Sequence, residues 1–322
     1  MKKSTKVLLI ISLCMLLSGV FICVGAGFMA GFDFNGLSPV TYRESVTTSD
    51  EAFANVDVYS LSADVEMFVS STDEWKVEST EADKIYHQIT VEDDTLKIRR
   101  VDNREWYECI SININFKTES IRLYLPEKSY ESIVLKSTSG KVVVNEGLNC
   151  EKLKAESTSG AVRVYGAEAE EIVANSTSGQ AVVDGVSAQR LSVSSTSGRV
   201  NVSNLAQVDT VDIKATSGRI EAMDISCREF TAENVSGGVT CSGVVADDTI
   251  TAETTSGGIR ILQSDAESLS LKSTSGSIRG TLLSDKIFIA ESSSGSVKVP
   301  DSTQGGVCKA KTSSGSIDIT VE

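Results

Sequence analysis

The sequence predicts an all-β fold, a single-domain β-solenoid of 19–20-residue coils that is preceded by one N-terminal transmembrane helix. Three observations lead to this prediction. A Ser-Gly pair recurs ten times at nearly constant spacing. Apolar residues alternate with polar ones on both sides of each pair, as in strands with one buried face. An uncharged segment of 25 residues precedes the repeats.

The Ser-Gly repeat has a period of 19 or 20 residues. Its glycines are Gly140, Gly160, Gly179, Gly198, Gly218, Gly237, Gly257, Gly276, Gly295 and Gly315. A fixed period of this length is typical of solenoids, in which each coil packs against the next. A helical repeat is not favoured, because Ser, Thr, Gly and β-branched residues dominate and no period of 3.6 residues is present.

Alignment on the repeat glycine predicts which side chains face the core. The positions seven and five residues before the glycine, and two and four residues after it, are mostly apolar. Counted from the glycine, the inward positions are at odd distances before it and at even distances after it. The alternation therefore breaks by one residue at the Ser-Gly pair, so the chain must bend or bulge there. We expect the glycine to supply the positive φ that such a bend commonly needs.

A looser return of about eight residues is expected to close each coil and to connect it to the next. Several apolar residues of this return are predicted to point inward: Leu148, Val186, Leu205, Ile225 and Val244. Strands paired in register with those of neighbouring coils, at roughly 4.8 Å per coil, would give a rod about 50 Å long.

Small polar residues also recur in register. The residue before the glycine is Ser in every coil, the second before it is mostly Thr, and the third is Ser, Thr, Asn or Ala. We interpret these rows as structural hydroxyl ladders, as in cross-β packing. The alternative is a ligand face for a regular array such as ice or a polysaccharide. Mixed charges four residues before the glycine, such as Lys136 and Glu156, favour the structural interpretation.

The N-terminal segment predicts the location of the protein. Residues 7–31 carry no charge and are long enough to cross a bilayer. Lys2, Lys3 and Lys6 precede this segment, and no basic cluster follows it. The positive-inside rule then predicts a single-pass protein of the cell membrane, with a cytoplasmic N-terminus and an extracytoplasmic C-terminal domain. A cleaved signal peptide is the alternative interpretation.

The predicted domains are residues 1–31 for the cytoplasmic tip and transmembrane anchor, 32–50 for a linker, 51–130 for degenerate coils or a β-rich N-terminal cap, and 131–322 for the ten-coil solenoid. Trp75 and Trp106 are expected in the core of the cap, because a solenoid needs its first coil covered. At the other end no cap is visible. The last strand is therefore expected to form an open edge, which Asp318, Glu322, Lys309 and Lys311 would blunt.

Charge and motifs limit the chemistry. The chain has a formal net charge of −14, which disfavours nucleic acid as a partner. The single histidine, His87, lies in a charged stretch and is expected at the surface. No nucleophile elbow, HExxH motif, phosphate loop or paired-cysteine metal motif is present. The sequence therefore predicts no enzyme, no cofactor, and no catalytic, cofactor-binding or metal-binding residues.

The cysteines do not predict a disulfide framework. Cys150 and Cys227 occupy the same position four coils apart, which corresponds to about 19 Å at the spacing of stacked strands. Bridged cysteines have Cα atoms within about 7 Å of each other, so this pair cannot form a disulfide within the chain. Cys241 and Cys308 are predicted to be small core residues, and Cys109 cannot be placed.

These features resemble a known family. The iterated Ser-Thr-Ser-Gly-x-Val-x-Val coils, the preceding Leu-Tyr-Leu-Pro segment (Leu123 to Pro126) and the apolar N-terminal segment are similar to the bacterial "putative adhesin" domain of unknown function, to which LiaG-like envelope proteins belong. The resemblance covers roughly residues 50–321. It implies a bacterial cell-envelope location, a β-solenoid fold and no known catalytic residues, and it carries over no functional residues.

The sequence thus predicts a membrane-anchored extracytoplasmic scaffold or adhesin-like binding module without catalysis. One alternative is an accessory protein of envelope-stress signalling that binds a membrane partner, which the short linker favours. The least favoured alternative is a carbohydrate-active solenoid enzyme. The expected partners are the membrane itself, a cell-wall polymer or a membrane protein, and a second copy bound end to end.

Overall fold

A computed structural model describes residues 3–29, 42–82, 84–105 and 119–322. Most of the predicted linker, together with Trp106 and Cys109, lies outside the described residues. The chain divides into two compact units. The first comprises Met1–Arg43, Glu81–Tyr86 and Asp102–Lys117, and the second comprises Glu44–Thr80, His87–Val101 and Thr118–Glu322.

The first unit contains the single described helix, α1 (Lys3–Met29). Within the same unit Ala82 pairs antiparallel with Ile85, and the amide of Asn103 donates a hydrogen bond to the carbonyl of Lys84 at 2.8 Å. Across the described ranges, no helix combines the length and the apolar character that a membrane span requires. The predicted transmembrane helix is not confirmed.

The remaining described chain is almost entirely β-strand. The strands are β1 (Tyr42–Ser49), β2 (Asn55–Ser60), β3 (Asp64–Ser70), β4 (Trp75–Ala82), β5 (Ile85–Glu92), β6 (Thr95–Asp102), β7 (Ser120–Pro126), β8 (Ser129–Ser137), β9 (Val142–Val144), β10 (Asn149–Ser157), β11 (Val162–Tyr165), β12 (Glu168–Ser176), β13 (Ala181–Asp184), β14 (Ser187–Ser195), β15 (Val200–Ala215), β16 (Ile220–Asn234), β17 (Val239–Thr254), β18 (Ile259–Ser264), β19 (Ser268–Ser273), β20 (Ile278–Leu282), β21 (Lys286–Ser292), β22 (Val297–Lys298), β23 (Gly306–Thr312) and β24 (Ile317–Val321).

The second unit is a β-solenoid with two parallel rows of strands. The first row contains the strands before the glycine position, in the order β6, β2, β8, β10, β12, β14, β15, β16, β17, β19, β23 and β21. The second row contains the strands after it, in the order β7, β3, β9, β11, β13, β15, β16, β17, β18, β20, β24 and β22. The predicted fold class is confirmed for the β-solenoid.

Equivalent residues of successive coils stack on one another. Leu153 of β10, for example, pairs with Ile133 on one side and with Ile172 on the other. The four inward columns predicted from the alternation are buried through the body of the solenoid. The five return residues predicted to point inward are at most 2% exposed. Because each coil covers the core of its neighbours, the stack forms one continuous apolar core.

The corner glycine is required for a different reason from the expected one. Positive φ among the glycines occurs at Gly147, Gly166, Gly185, Gly243 and Gly305, none of which is a repeat glycine. A Cβ on Gly160 would instead lie 2.1 Å from the carbonyl oxygen of Gly140. The expectation of a positive φ is wrong. The corner excludes side chains because the backbones of stacked coils approach each other too closely there.

The coils do not stack in chain order at either end. The coil β23–β24 lies between β19–β20 and β21–β22, because β23 pairs with both β19 and β21. In the same way β2–β3 lies between β6–β7 and β8–β9. The expectation that the last strand forms the open edge, blunted by Asp318 and Glu322, is therefore wrong. The strands at that edge are β21 and β22.

The N-terminal coils carry an aromatic cluster. The ring centroid of Phe53 lies 6.2 Å from that of Trp75 in an edge-on arrangement and 6.1 Å from that of Tyr130 in a stacked one. All three side chains are buried. In the second row β4 pairs antiparallel with β7, where Lys76 faces Tyr124. The outer edge of β7 is therefore occupied.

Candidate binding groove

The third residue before each glycine forms a buried polar row at the corner, which we call the corner row. Its members are Ser137, Ser157, Ser176, Ser195, Asn234, Thr254, Ser273, Thr312 and Ser292, with Ala215 as the exception. In a typical coil the Ser157 hydroxyl donates to the carbonyl of Gly140 at 2.8 Å and accepts from the amide of Gly160 at 2.9 Å. Except at Ala215, the corner row therefore ties each coil to an adjacent coil of the stack.

The second residue before each glycine forms an outward row, which we call the threonine row. It contains Thr138, Thr158, Thr177, Thr196, Thr216, Thr255 and Thr274, is interrupted by Val235, and has serine at Ser293 and Ser313. Only its backbone takes part in the stacking, as when the Thr158 amide donates to the Ser137 carbonyl at 3.2 Å. Within the described chain, these threonine hydroxyls make no side-chain hydrogen bond. They recur at the strand spacing of roughly 4.8 Å and stay available to a ligand.

The threonine row and the charged row, four residues before the glycine, line a long polar groove, which we call the threonine groove. One stretch between Ser194 and Thr274 has a volume of about 570 Å³. A second stretch between Tyr59 and Thr196 has a volume of about 460 Å³. The two stretches share Ser194 and Thr196, so the groove is continuous along most of the solenoid.

Lysines and glutamates form ion pairs along one wall of this groove, although Glu233 stacks on Glu253 and Lys272 on Lys311. The ion pairs of the charged row are Lys136–Glu156 at 3.1 Å, Lys214–Glu233 at 3.6 Å, Lys272–Glu253 at 3.6 Å and Lys311–Glu291 at 2.9 Å. Between the first two pairs, Ser194 donates a hydrogen bond to Asn175 at 2.8 Å. Since each lysine has a glutamate partner, this wall presents little net charge to a ligand.

The pKa values of Glu156 and Lys214 in this wall are shifted away from neutral pH. Partial burial opposes ionisation of Glu156, but hydrogen bonds from Lys154 and Lys136 outweigh it and hold the pKa of Glu156 below its ordinary value. Attraction to Asp212 and Glu233 raises the pKa of Lys214. Each resolved pKa shift among the described residues moves its group away from neutrality. A poised general acid or base would require the opposite direction.

A second groove of about 670 Å³ runs along the stack beside the residues at which the first-row strands begin, such as Glu168 and Ser187. Its walls carry the carboxylates of Glu168, Glu170, Asp209 and Asp247, together with Arg228. The arginine is engaged by Glu229 at 2.6 Å and Asp248 at 3.3 Å. Over the described part of the chain, no cluster of three or more His, Cys, Asp or Glu side chains could hold a metal ion.

The described cysteines of the solenoid lie inside the core. Cys150, Cys227, Cys241 and Cys308 are buried free thiols, and burial raises the pKa of each to about 12. The predicted core positions of Cys241 and Cys308 are confirmed. The prediction that His87 is a surface residue is wrong, since its side chain is only 5% exposed.

The sequence comparison assigns a family to this geometry. The Toastrack DUF4097 family matches residues 53–225 and 206–322, which together cover the solenoid. The chain belongs to the Toastrack family. The resemblance to an adhesin-type domain of unknown function is confirmed by this match. No curated protein matches the sequence of this Toastrack chain.

Three solved structures are similar to the Toastrack chain, and one of them, with a TM-score of 0.50, supports its fold. A protein of Parabacteroides distasonis described as a putative lipid binding protein is 20% identical, with a TM-score of 0.50 over 74% of this chain and 96% of that one. A putative adhesin of Parabacteroides merdae is 16% identical, with a TM-score of 0.45 over 76% and 97%. One of Bacteroides fragilis is also 16% identical, with a TM-score of 0.42 over 87% and 97%.

Proposed function

We propose that this Toastrack protein is a non-catalytic binding module of the bacterial cell envelope that holds a hydroxyl-rich polymer along the threonine groove. The observation that carries the proposal is the threonine row, whose hydroxyls line a continuous groove and have no side-chain hydrogen bond within the described residues. An extended glycan chain, with hydroxyl groups repeating along its length, has the complementary chemistry.

The different roles of the corner row and the threonine row support this proposal. The corner row is buried and satisfies both the glycine amide and the neighbouring glycine carbonyl. A structural role for the small polar residues is therefore filled without the threonine hydroxyls. In the described chain the threonine hydroxyls make no hydrogen bond between coils, yet they recur at the spacing of the coils. A polymer with regularly repeating hydroxyl groups is a suitable ligand for them.

The charge of the groove points to a neutral ligand. The lysines of the charged row are matched by glutamates, so a strongly anionic or cationic polymer would find little net attraction there.

Attachment to the membrane is part of the proposal. Its support is the sequence alone: the uncharged residues 7–31 and the lysines that precede them. An extracytoplasmic solenoid attached in this way would lie close to the membrane, where cell-wall polymers and membrane proteins are both accessible.

The test is co-sedimentation of the full chain in mild detergent with isolated cell-wall material. Replacement of Thr177, Thr196 and Thr216 by valine keeps the shape of the side chains and removes three adjacent hydroxyls. We expect saturable binding by the parent chain and a loss of roughly tenfold or more in affinity for this triple variant, at about 1 kcal/mol per hydrogen bond.

The matched control replaces Thr210, Thr231 and Thr251 by valine, since these threonines lie on the first row outside the threonine groove. This control should bind like the parent. Equal binding by both triple variants would refute the groove as the site. No binding by the parent chain would refute the polymer and favour a membrane protein as the partner.

A further inference from the structure

One end of the solenoid leaves its apolar core uncovered. Phe288 and Ala290 occupy inward columns of β21, and Val297 occupies an inward column of β22. In the coils between β8 and β24 that precede this edge in the stack, the residues of these three columns are at most 2% exposed. Val297 is 40% exposed, and Phe288 and Ala290 are only partly buried. The core is therefore open to solvent at the outermost coil.

The outward side chains of the same strand are also apolar. Ile287 is 40% exposed and Ile289 is 56% exposed. Residues 287–290 thus form a continuous apolar run, a pattern typical of a strand that is covered on both faces. Among the described strands β21 pairs only with β23, so its other edge can accept a further strand.

At the opposite end of the solenoid, the outermost strand of the second row is already covered. There β4 pairs antiparallel with the outer edge of β7, and the cluster of Phe53, Trp75 and Tyr130 packs beside the first coils. A head-to-tail stack would have to displace β4. The open end therefore suits the same end of a second copy, which gives a closed contact with twofold symmetry.

We propose that two copies of this chain associate end to end by antiparallel pairing of their β21 strands, with the twofold axis at Ile289. This register is self-complementary, because the large Phe288 of each copy faces the small Ala290 of the other on the core side. On the outward side the two Ile289 side chains face each other. The pairing extends the apolar core of one solenoid into that of the other and occupies both open edges.

The ion pairs near this strand are compatible with the contact. Glu291 is paired with Lys311 at 2.9 Å in the neighbouring coil, and Lys286 is buried against Asp265 at 2.6 Å. Neither charged residue needs a new partner when the edge is covered. The contact therefore buries apolar surface without leaving an unpaired charge inside it.

Cysteine cross-linking of the full chain in mild detergent tests the register. The parent for this experiment carries serine at Cys14, Cys23 and Cys109, and Ile289→Cys is compared with Ile287→Cys. Two thiols introduced at position 289 would meet at the axis within disulfide reach, whereas two thiols introduced at position 287 would lie about 13 Å apart along the strands.

We expect Ile289→Cys to form roughly tenfold or more covalent dimer than Ile287→Cys under mild oxidation, because only the first pair satisfies disulfide geometry. Separately, Ile289→Lys in the native chain should shift the protein from dimer to monomer in sedimentation analysis. A parent chain that stays monomeric at high concentration would overturn the proposal. Equal cross-linking by both cysteine variants would overturn the register and, with it, the proposed contact.

Discussion

The replacement Gly237→Ala tests the close approach of coils at the corner. A Cβ at this position would lie 1.8 Å from the carbonyl oxygen of Gly218, where ordinary contact begins near 3.4 Å. The two backbones would have to separate by about 1.5 Å, against hydrogen bonds such as that from the Ser236 amide to the Thr216 carbonyl at 2.8 Å. Overpacking against immobile atoms costs about 1–3 kcal/mol and sometimes more, so we expect a loss of about 3 kcal/mol.

The adjacent Gly238→Ala is the matched control. Its Cβ would lie 3.3 Å from the nearest atom, the carbonyl oxygen of Gly258, and Gly238 has no positive φ. Alanine also restricts the unfolded chain, which stabilises a protein by about 0.4–1 kcal/mol where the backbone permits it. We therefore expect the control to lie within about 1 kcal/mol of the parent.

The assay is guanidinium unfolding of the full chain, followed by far-UV circular dichroism. The midpoint of Gly237→Ala should fall well below that of Gly238→Ala. Because each coil contacts only its neighbours, the weakened interface should also broaden the transition or divide it into two steps. Equal midpoints for the two variants would refute the steric explanation of the repeat glycine.

Two further predictions concern polar contacts of the core. Loss of the Ser176 hydroxyl in Ser176→Ala should destabilise the chain by about 1–3 kcal/mol in the same unfolding assay. Ala215→Ser restores the missing member of the corner row and should stabilise the chain by about 0.5–1.5 kcal/mol. A gain in stability from Ser176→Ala or a loss from Ala215→Ser would contradict the role of the corner row. At Asp265 burial opposes ionisation, but hydrogen bonds from Lys286 and Ser284 outweigh it and lower the pKa of Asp265. The ion pair therefore stabilises the fold above the unfolded-state pKa of about 3.9, and this stabilisation is lost as pH falls through the lower folded-state pKa. The loss of unfolding free energy in Asp265→Asn, about 3 kcal/mol at pH 7, should therefore shrink below about pH 4. A loss that does not change with pH would refute the role of the ion pair.

The body of the solenoid was predictable because its signal is local and repeated. The period-two alternation around each Ser-Gly pair identifies the inward columns, and the structure buries Leu153 and Ile172 as expected. The same parity also places the third residue before the glycine on the inward side. Ser157, three residues before Gly160, is therefore inward, and Thr158, two residues before it, is outward. The alternation alone thus separates the corner row from the threonine row.

The order of the terminal coils could not be predicted in this way. Phe288 and Ala290 in β21 occupy the same two columns as Cys308 and Ala310 in β23, so either strand satisfies the pattern next to β19. The close backbone approach at the corner could not be predicted either, because it is a contact between Gly140 and Gly160 of two stacked coils and not a property of the local turn. The burial of His87 was missed because its place on the buried side of β5, together with Ile85, is not evident from its charged neighbours in sequence.

The exchanged order of the coils changes how the ends of the stack can open. The outermost coil β21–β22 is continuous with β20 on one side and with β23 on the other, and both of those strands are held inside the stack. If this coil detaches, the released segment 283–305 remains a closed loop that is anchored at both ends. A tethered loop gains less conformational entropy than a free tail of the same length. The exchange of two coils therefore resists fraying at the place where a linear repeat protein is weakest.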